Sequence, residues 1–343
     1  MENTNYSQLY AKFTKGLSKK VKDIFDRRFG VKTGEVETLE SIGKSLGITR
    51  ERVRQIEEAG FSYVKKNHKE ALEKIFADFA YYFEKNGGFK KEDVALEGLA
   101  GKKNKPYALF LLTLGGDRFE RVCGKKDYEY FWLASPSAGK QVKETLDNLV
   151  KDIDSSKKLL TKDEMNATFA SKYNLSNQAI DSYLEISKKI QENKEGKLGL
   201  INWPEIKPRG VRDKAYLVFK KSQKPLHFRH IAQLIDELGY GNDGRKAHPQ
   251  TVHNELIKDA RFVLVGRGTY ALAEWGYFPG TIKDIITKFL QEKQEASHKE
   301  DILKQVLSQR LVAKNTVLIN LNNKKYFARD DQGRYSVKNV QVS

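Results

Sequence analysis

Apolar and polar positions in this chain follow two periods, and the sharpest passage lies between Thr38 and Ile56. Leu39, Ile42 and Leu46 recur at helical spacing and predict a short helix with one buried face, in which Gly43 is small enough to let a second helix cross close by. Gly47 then turns the chain. Thr49 offers an N-cap oxygen to a second helix, whose Val53 and Ile56 lie three apart and face the first helix together with Ile48. The opposite face carries Arg50, Glu51, Arg54 and Gln55, a band of donors and acceptors near the helix N-terminus. That is the arrangement a helix-turn-helix presents to base edges in the major groove of duplex DNA.

Further along, the three tryptophans, Trp132, Trp203 and Trp275, recur about every 70 residues, each at the end of a similar segment. Before each lies a candidate hairpin split by a charged or glycine turn: 118–122 with 128–132, 189–190 with 197–201, and 261–265 with 269–273. A fourth, without tryptophan, pairs 325–329 with 333–337. Helical stretches precede the hairpins, as from Thr161 and from Thr281. Three helices and a two-stranded hairpin are the winged-helix plan. The expected fold class is therefore mainly α with small β-hairpin wings: a helix-turn-helix followed by tandem winged-helix domains. The expected divisions are 1–86 (helix-turn-helix with a helical extension), 87–135, 139–206, 210–277 and 280–340. Gly87-Gly88, residues 135–139, Pro204 to Gly210 and Phe278-Pro279-Gly280 mark the breaks. Phe61 to Lys85 is expected to continue the first module and then bridge, with Phe76, Phe79, Tyr82 and Phe83 as core.

Length and charge fit this picture, since 343 residues exceed one small DNA-binding module and a net charge of +17, spread along the chain, favours a polyanionic partner. The single cysteine, Cys123, excludes an internal disulfide framework and reads as a small apolar residue in a strand. No run approaches the ~18 apolar residues needed to span a bilayer, and the N-terminus lacks an apolar signal core. A cytoplasmic, nucleoid location follows as the expectation.

At Thr38 to Ile56 the sequence closely resembles region 4 of primary bacterial sigma factors, whose motif runs TLE-x-[VI]-G-K-x-x-x-[VI]-TRER-[IV]-RQIE. The likeness extends upstream through Leu17 to Val31 (LSKKVKDIFDRRFGV) and covers about residues 17 to 66. It implies that Arg50, Glu51, Arg54 and Gln55 read bases of a promoter −35 element. It also implies that Arg28, Leu39 at the first helix start, Lys44, Thr49 and Arg52 hold the DNA backbone. No counterpart of the family's aromatic strand-opening region is found, so a complete sigma factor is not expected.

Residues 211 to 277 resemble the HARE-HTH winged-helix domain, also seen in the delta subunit of Gram-positive RNA polymerase. Residues 225–232 (PLHFRHIA), 248–256 (HPQTVHNEL) and 261–272 (RFVLVGRGTYAL) carry the likeness. It implies a module that docks on DNA or on the transcription machinery. The second helix there would begin after Pro249 and offer Gln250, Thr251, His253, Asn254 and Lys258 as DNA contacts. Arg267, at the wing tip between Gly266 and Gly268, would lie beside a phosphate or in the minor groove. The delta subunit's long acidic tail has no counterpart in the closing YSVKNVQVS.

Three enzymatic readings are set aside. His227, His230, His248 and His253 are close enough for zinc, but no cysteine joins them and the HARE pattern needs no metal. Gly43-Lys44-Ser45 lacks the first glycine of a phosphate-binding loop. Asp181 with Glu195 and Lys197 falls where charged residues are expected anyway. The sequence thus predicts a non-enzymatic bacterial transcription factor without cofactor, metal or small-molecule substrate, binding double-stranded DNA together with RNA polymerase core. Two alternatives stay open: a polymerase-associated scaffold with little DNA specificity, and an architectural DNA-binding protein.

Overall fold

Short antiparallel sheets close successive groups of three helices along the chain. The computed structural model describes residues 5–240 and 246–338, and the chain divides into two units at Ile206 and Lys207. Residues 1–4, 241–245 and 339–340 of the expected divisions, and the last five residues of the closing tail, lie outside the described residues.

The first unit begins with α1 (Tyr6–Phe13), α2 (Lys19–Phe29), α3 (Leu39–Leu46), α4 (Arg50–Asn67) and α5 (Lys69–Lys85). Then follow β1 (Phe89–Lys91), α6 (Glu92–Ala100), α7 (Lys105–Leu114), β2 (Glu120–Val122) and β3 (Phe131–Leu133), with the sheet ordered β1-β3-β2. This corrects the division expected at Gly87-Gly88. Helix α5 is the first helix of a winged unit, and one core runs from Phe13, Phe25 and Phe29 through Phe76, Phe79 and Phe83 to Phe110 and Trp132. The reason lies in α7, whose sequence KPYALFLLTL is apolar on nearly every side and must be covered on more than one face. The Phe110 ring sits 5.4 Å from both Phe25 and Phe29 and 5.1 Å from Tyr10.

Helices α8 (Gly139–Ser156), α9 (Lys162–Tyr173) and α10 (Asn177–Ile186) with β4 (Ile190–Glu192) and β5 (Leu198–Leu200) form the next winged unit. Thr161 caps α9 with a reciprocal Glu164, which explains why the helix starts there. Its core is shared as well: Phe89, Phe131 and Leu133 cluster with Leu146, Ile153, Ile180 and Tyr183. Residues 136–138, expected as a linker, are a 3-10 turn leading straight into α8.

The second unit holds α11 (Gly210–Ser222), β6 (Leu226–His227), α12 (Phe228–Glu237), α13 (Pro249–Lys258), β7 (Phe262–Gly266) and β8 (Thr269–Leu272). It ends with α14 (Ile282–Lys293), α15 (Lys299–Gln309), α16 (Lys314–Leu321), β9 (Phe327–Arg329) and β10 (Tyr335–Val337). Each winged group gains a strand segment that hairpin patterning does not show, just before its second helix. Phe89 pairs with Leu133, Leu160 with Leu198, Leu226 with Tyr270 and Ser297 with Tyr335. At the β7–β8 turn Gly268 has φ +65°, and a Cβ there would come within 2.6 Å of His227 Nε2, so the tight turn requires glycine.

The tryptophans occupy similar but not equivalent places. Trp132 is buried within β3 and donates to Glu92 Oε2 at 3.0 Å. Trp203 and Trp275 lie past the second wing strand, and Trp275 packs 5.9 Å from Phe219. Cys123 is exposed just beyond β2, not an inward strand residue. Among the described residues no helix is long and apolar enough to cross a membrane.

Candidate nucleic-acid interface

Local chemistry fixes the helix-turn-helix. Thr38 accepts from Ser41 N and starts α3; Gly47, at φ 64°, ends it in the left-handed conformation. Thr49 then accepts from Arg52 N and starts α4. Ile24, Ile42 and Val53 are fully buried, flanked by Leu39, Leu46, Ile48 and Ile56. Gly43 is where backbone passes closest, for a Cβ on it would sit 2.7 Å from Ile48 O and 3.3 Å from Arg50 N. Larger side chains would push the start of α4 away from α3.

With Val53 and Ile56 turned inward, Arg50, Glu51, Arg52, Arg54 and Gln55 all stand exposed on α4. They form a connected surface. Arg54 pairs with Glu51, Nη2 to Oε1 at 2.6 Å, and also with Glu58. Arg52 Nη1 donates to Gln55 Oε1 at 3.0 Å. The Arg54 hydrogen bond holds the Glu51 carboxyl below its ordinary range, so it is a carboxylate, an acceptor only. The Gln55 amide NH2 also donates to the Glu51 carboxylate, so pairing with both adenine edge atoms requires the amide to leave Glu51 as well as Arg52.

The residues expected on the DNA backbone are dispersed. Lys44 is exposed, 3.8 Å from Glu40. Leu39 is half-buried in the small core and offers DNA only its backbone at the helix start; Thr49 has committed its hydroxyl to the cap. Arg28 is partly buried and turned to the protein: Nη1 donates to Glu37 O at 3.2 Å and Nε is 3.5 Å from the buried Glu57. Burial pushes the Glu57 carboxyl up, against the opposing pull of Arg28. Arg28 thus ties α2 to α4.

Arg27 is a contact that spacing does not announce. Nε and Nη2 donate to the two Glu37 carboxylate oxygens at 2.7 Å each, and Nη1 reaches Ser45 Oγ at 2.7 Å, which clamps α2 and the approach loop to α3. An arginine ten residues before a glutamate is a weak signal, because only the intervening loop brings them together.

In the second unit, Gln250, Thr251, Asn254 and Lys258 are exposed on α13, with Gln250 Nε2 donating to Asn254 Oδ1 at 3.2 Å and Lys258 3.7 Å from Glu255. Arg267 stands exposed at the β7–β8 turn. His253 departs from the expectation: its ring lies between Phe228 at 4.5 Å and Tyr270 at 5.8 Å, as part of the packing. His227 caps α12, accepting from Arg229 N. Among the described residues no three His, Cys, Asp or Glu side chains converge as a metal would need.

The fold and this surface define a helix-turn-helix protein of DNA-binding type. Residues 15–66 match the family model of Sigma-70, region 4, and residues 210–275 match that of HARE-HTH, the HTH domain named for ASXL and restriction endonuclease proteins among others. RNA polymerase sigma factor sigB of Arabidopsis thaliana is 40% identical to this chain over 53 residues. That stretch is 16% of this chain, and the chain covers 9% of that relative. Both matched segments are helix-turn-helix types, not enzymatic families, and together they support a DNA-binding, transcription-related role.

Proposed function

We propose that this protein is a bacterial transcription factor that binds double-stranded promoter DNA through α4, at a −35-like element, and works with RNA polymerase core. One observation carries the reading: five polar side chains, Arg50, Glu51, Arg52, Arg54 and Gln55, are exposed together on a helix whose other side is locked to α3 by Val53 and Ile56. Glu51 is ionised and accepts; the arginines and the Gln55 amide donate. Such a mixed row distinguishes base pairs in the major groove, which a uniformly cationic row does not. Exposed Lys44 and the first turn of α3 serve the phosphates, and the winged units of the second unit add contacts through α13 and Arg267.

The experiment is a titration of −35-like and random duplexes at two salt concentrations with wild type, Arg50→Ala and Gln55→Ala, beside a pull-down on polymerase core. Preference for the −35-like duplex should fall by about 1–3 kcal/mol in either variant. Equal losses on both duplexes would refute the reader assignment. Polymerase retention without measurable DNA affinity would favour the scaffold reading instead.

A further inference from the structure

The helix-turn-helix and the four winged groups can be compared in one frame, counted from the residue before α4, α7, α10, α13 or α16. The fourth position of that frame is inward everywhere: Val53, Ala108, Ile180, Val252 and Val317 are each 0% exposed. The sixth position looks away from the group's own core and is Gln55, Phe110, Ser182, Asn254 or Ile319. Here the groups part company. Phe110 is covered by Phe25 and Phe29, and Ser182 donates to Asn86 O at 2.8 Å, so α7 and α10 spend their outward faces inside the first unit. Gln55 and Asn254 are exposed, and Ile319 is 73% exposed. The helix left open but belonging to neither matched segment is α16.

We propose that α16, together with the turn carrying Arg267, forms a further contact surface for duplex DNA, independent of α4. The face carries Lys314, Asn315, Thr316 and Ile319, and the helix contains no carboxylate. Asn322, Asn323, Lys324 and Lys325 follow it directly. Side-chain amides suit the adenine edge, an exposed aliphatic group among them suits a thymine methyl, and flanking lysines suit phosphates. Leu311, 57% exposed, precedes the helix, but the lysines and amides of the face outnumber these two apolar groups, which favours duplex DNA over a protein partner.

The group's own wing carries mixed charge, since exposed Arg329 is followed by Asp330, paired with Arg334 at 2.9 Å, and by Asp331. The neighbouring wing adds a second cationic turn. Leu311 N donates to Val265 O at 2.7 Å, and a Cβ on Gly266 would come within 3.1 Å of Leu311 O. The buried Arg310 fixes that approach by donating to Phe278 O at 2.6 Å and Gly280 O at 2.8 Å. Arg267, next after Gly266, is therefore held beside the segment that enters α16, and a cationic turn and an amide-rich helix are presented side by side.

Full-length protein with Cys123→Ser, carrying a thiol-linked photocrosslinker at Ile319→Cys, Gln55→Cys or the exposed control Tyr81→Cys, tests this with labelled −35-like and random-sequence duplexes. Ile319→Cys should crosslink DNA about fivefold or more above the control. Lys314→Glu with Asn315→Asp should weaken duplex binding about tenfold with an unchanged melting temperature. Crosslinking at Gln55→Cys but only control levels at Ile319→Cys would overturn this inference and leave α4 reading DNA. The reverse pattern would overturn the α4 reading alone, and control levels at both would overturn both. Unchanged affinity in the Lys314 and Asn315 variant, or crosslinks from Ile319→Cys to polymerase core in place of DNA, would likewise overturn it.

Discussion

Arg54 and Glu51 are bonded to each other across one turn of α4, Nη2 to Oε1 at 2.6 Å, on the side of the helix that faces away from α3. The carboxylate thus lowers the positive potential of the row and fixes the guanidinium at the same time. Glu51→Ala should raise affinity for random duplexes while reducing discrimination at cytosine positions by about 1–3 kcal/mol. Competitive binding with single-base variants of a −35-like site measures both. Tighter binding with unaltered discrimination would show that Glu51 reads nothing.

Arg28 joins α2 to the buried Glu57, so its removal should act on the fold before it acts on DNA. Arg28→Ala leaves a carboxyl with 8% exposure unpaired and should cost about 1–3 kcal/mol, discounted because Arg28 itself is half-exposed. Urea unfolding measures the loss. Unchanged stability with uniformly weakened DNA binding would return Arg28 to the phosphate role.

Gly43→Ala sets helix propensity, which favours alanine by about 1 kcal/mol, against a methyl placed 2.7 Å from Ile48 O. The obstacle is backbone, which cannot swing aside, so sterics should win and destabilise by about 1–3 kcal/mol. Thermal melting and DNA affinity should fall together.

Glu37 is the acid-sensitive end of the Arg27 clamp. The Arg27 hydrogen bond holds its carboxyl below the ordinary 4.5, so the clamp's contribution is fully present above pH 4.5 and is lost as pH falls through the lower folded value. A carboxyl NMR titration should place the Glu37 midpoint below 4.5, and Arg27→Gln should move it back up. A Glu37 midpoint indifferent to Arg27→Gln would show that the clamp does not persist in solution.

Salt dependence reports the phosphate contacts. If about six phosphates are neutralised, log affinity against log salt should slope near −5 for a duplex long enough to engage the whole protein. A flat dependence would contradict an electrostatic docking mode.

Much of the helix-turn-helix was legible because its determinants are local: Thr38 and Thr49 cap, Gly47 turns, and Val53 with Ile56 declare the inner face within a few residues. Hairpins were legible too, from alternation around Gly268 and Gly333. The fate of each face after its element forms was not. Nothing in the spacing of Phe76, Phe79 and Phe83 says that they pack with Phe119 as well as continuing the core of the module before them. His253 reads as a polar outward residue until Phe228 and Tyr270 close on it from elements far along the chain. Strand segments as short as Leu226–His227 are too brief to show a period.

Because Phe25 and Phe29 meet Phe110 across more than eighty positions of sequence, the packing of the helix-turn-helix does not end where its family likeness ends. A fragment trimmed at residue 66 would keep only the Phe61 ring against these rings, lose the Phe110 side of their packing, and should precipitate or melt. Anyone seeking the smallest soluble piece that retains α4 in working order should cut near Ile206, and would carry two winged groups along as ballast.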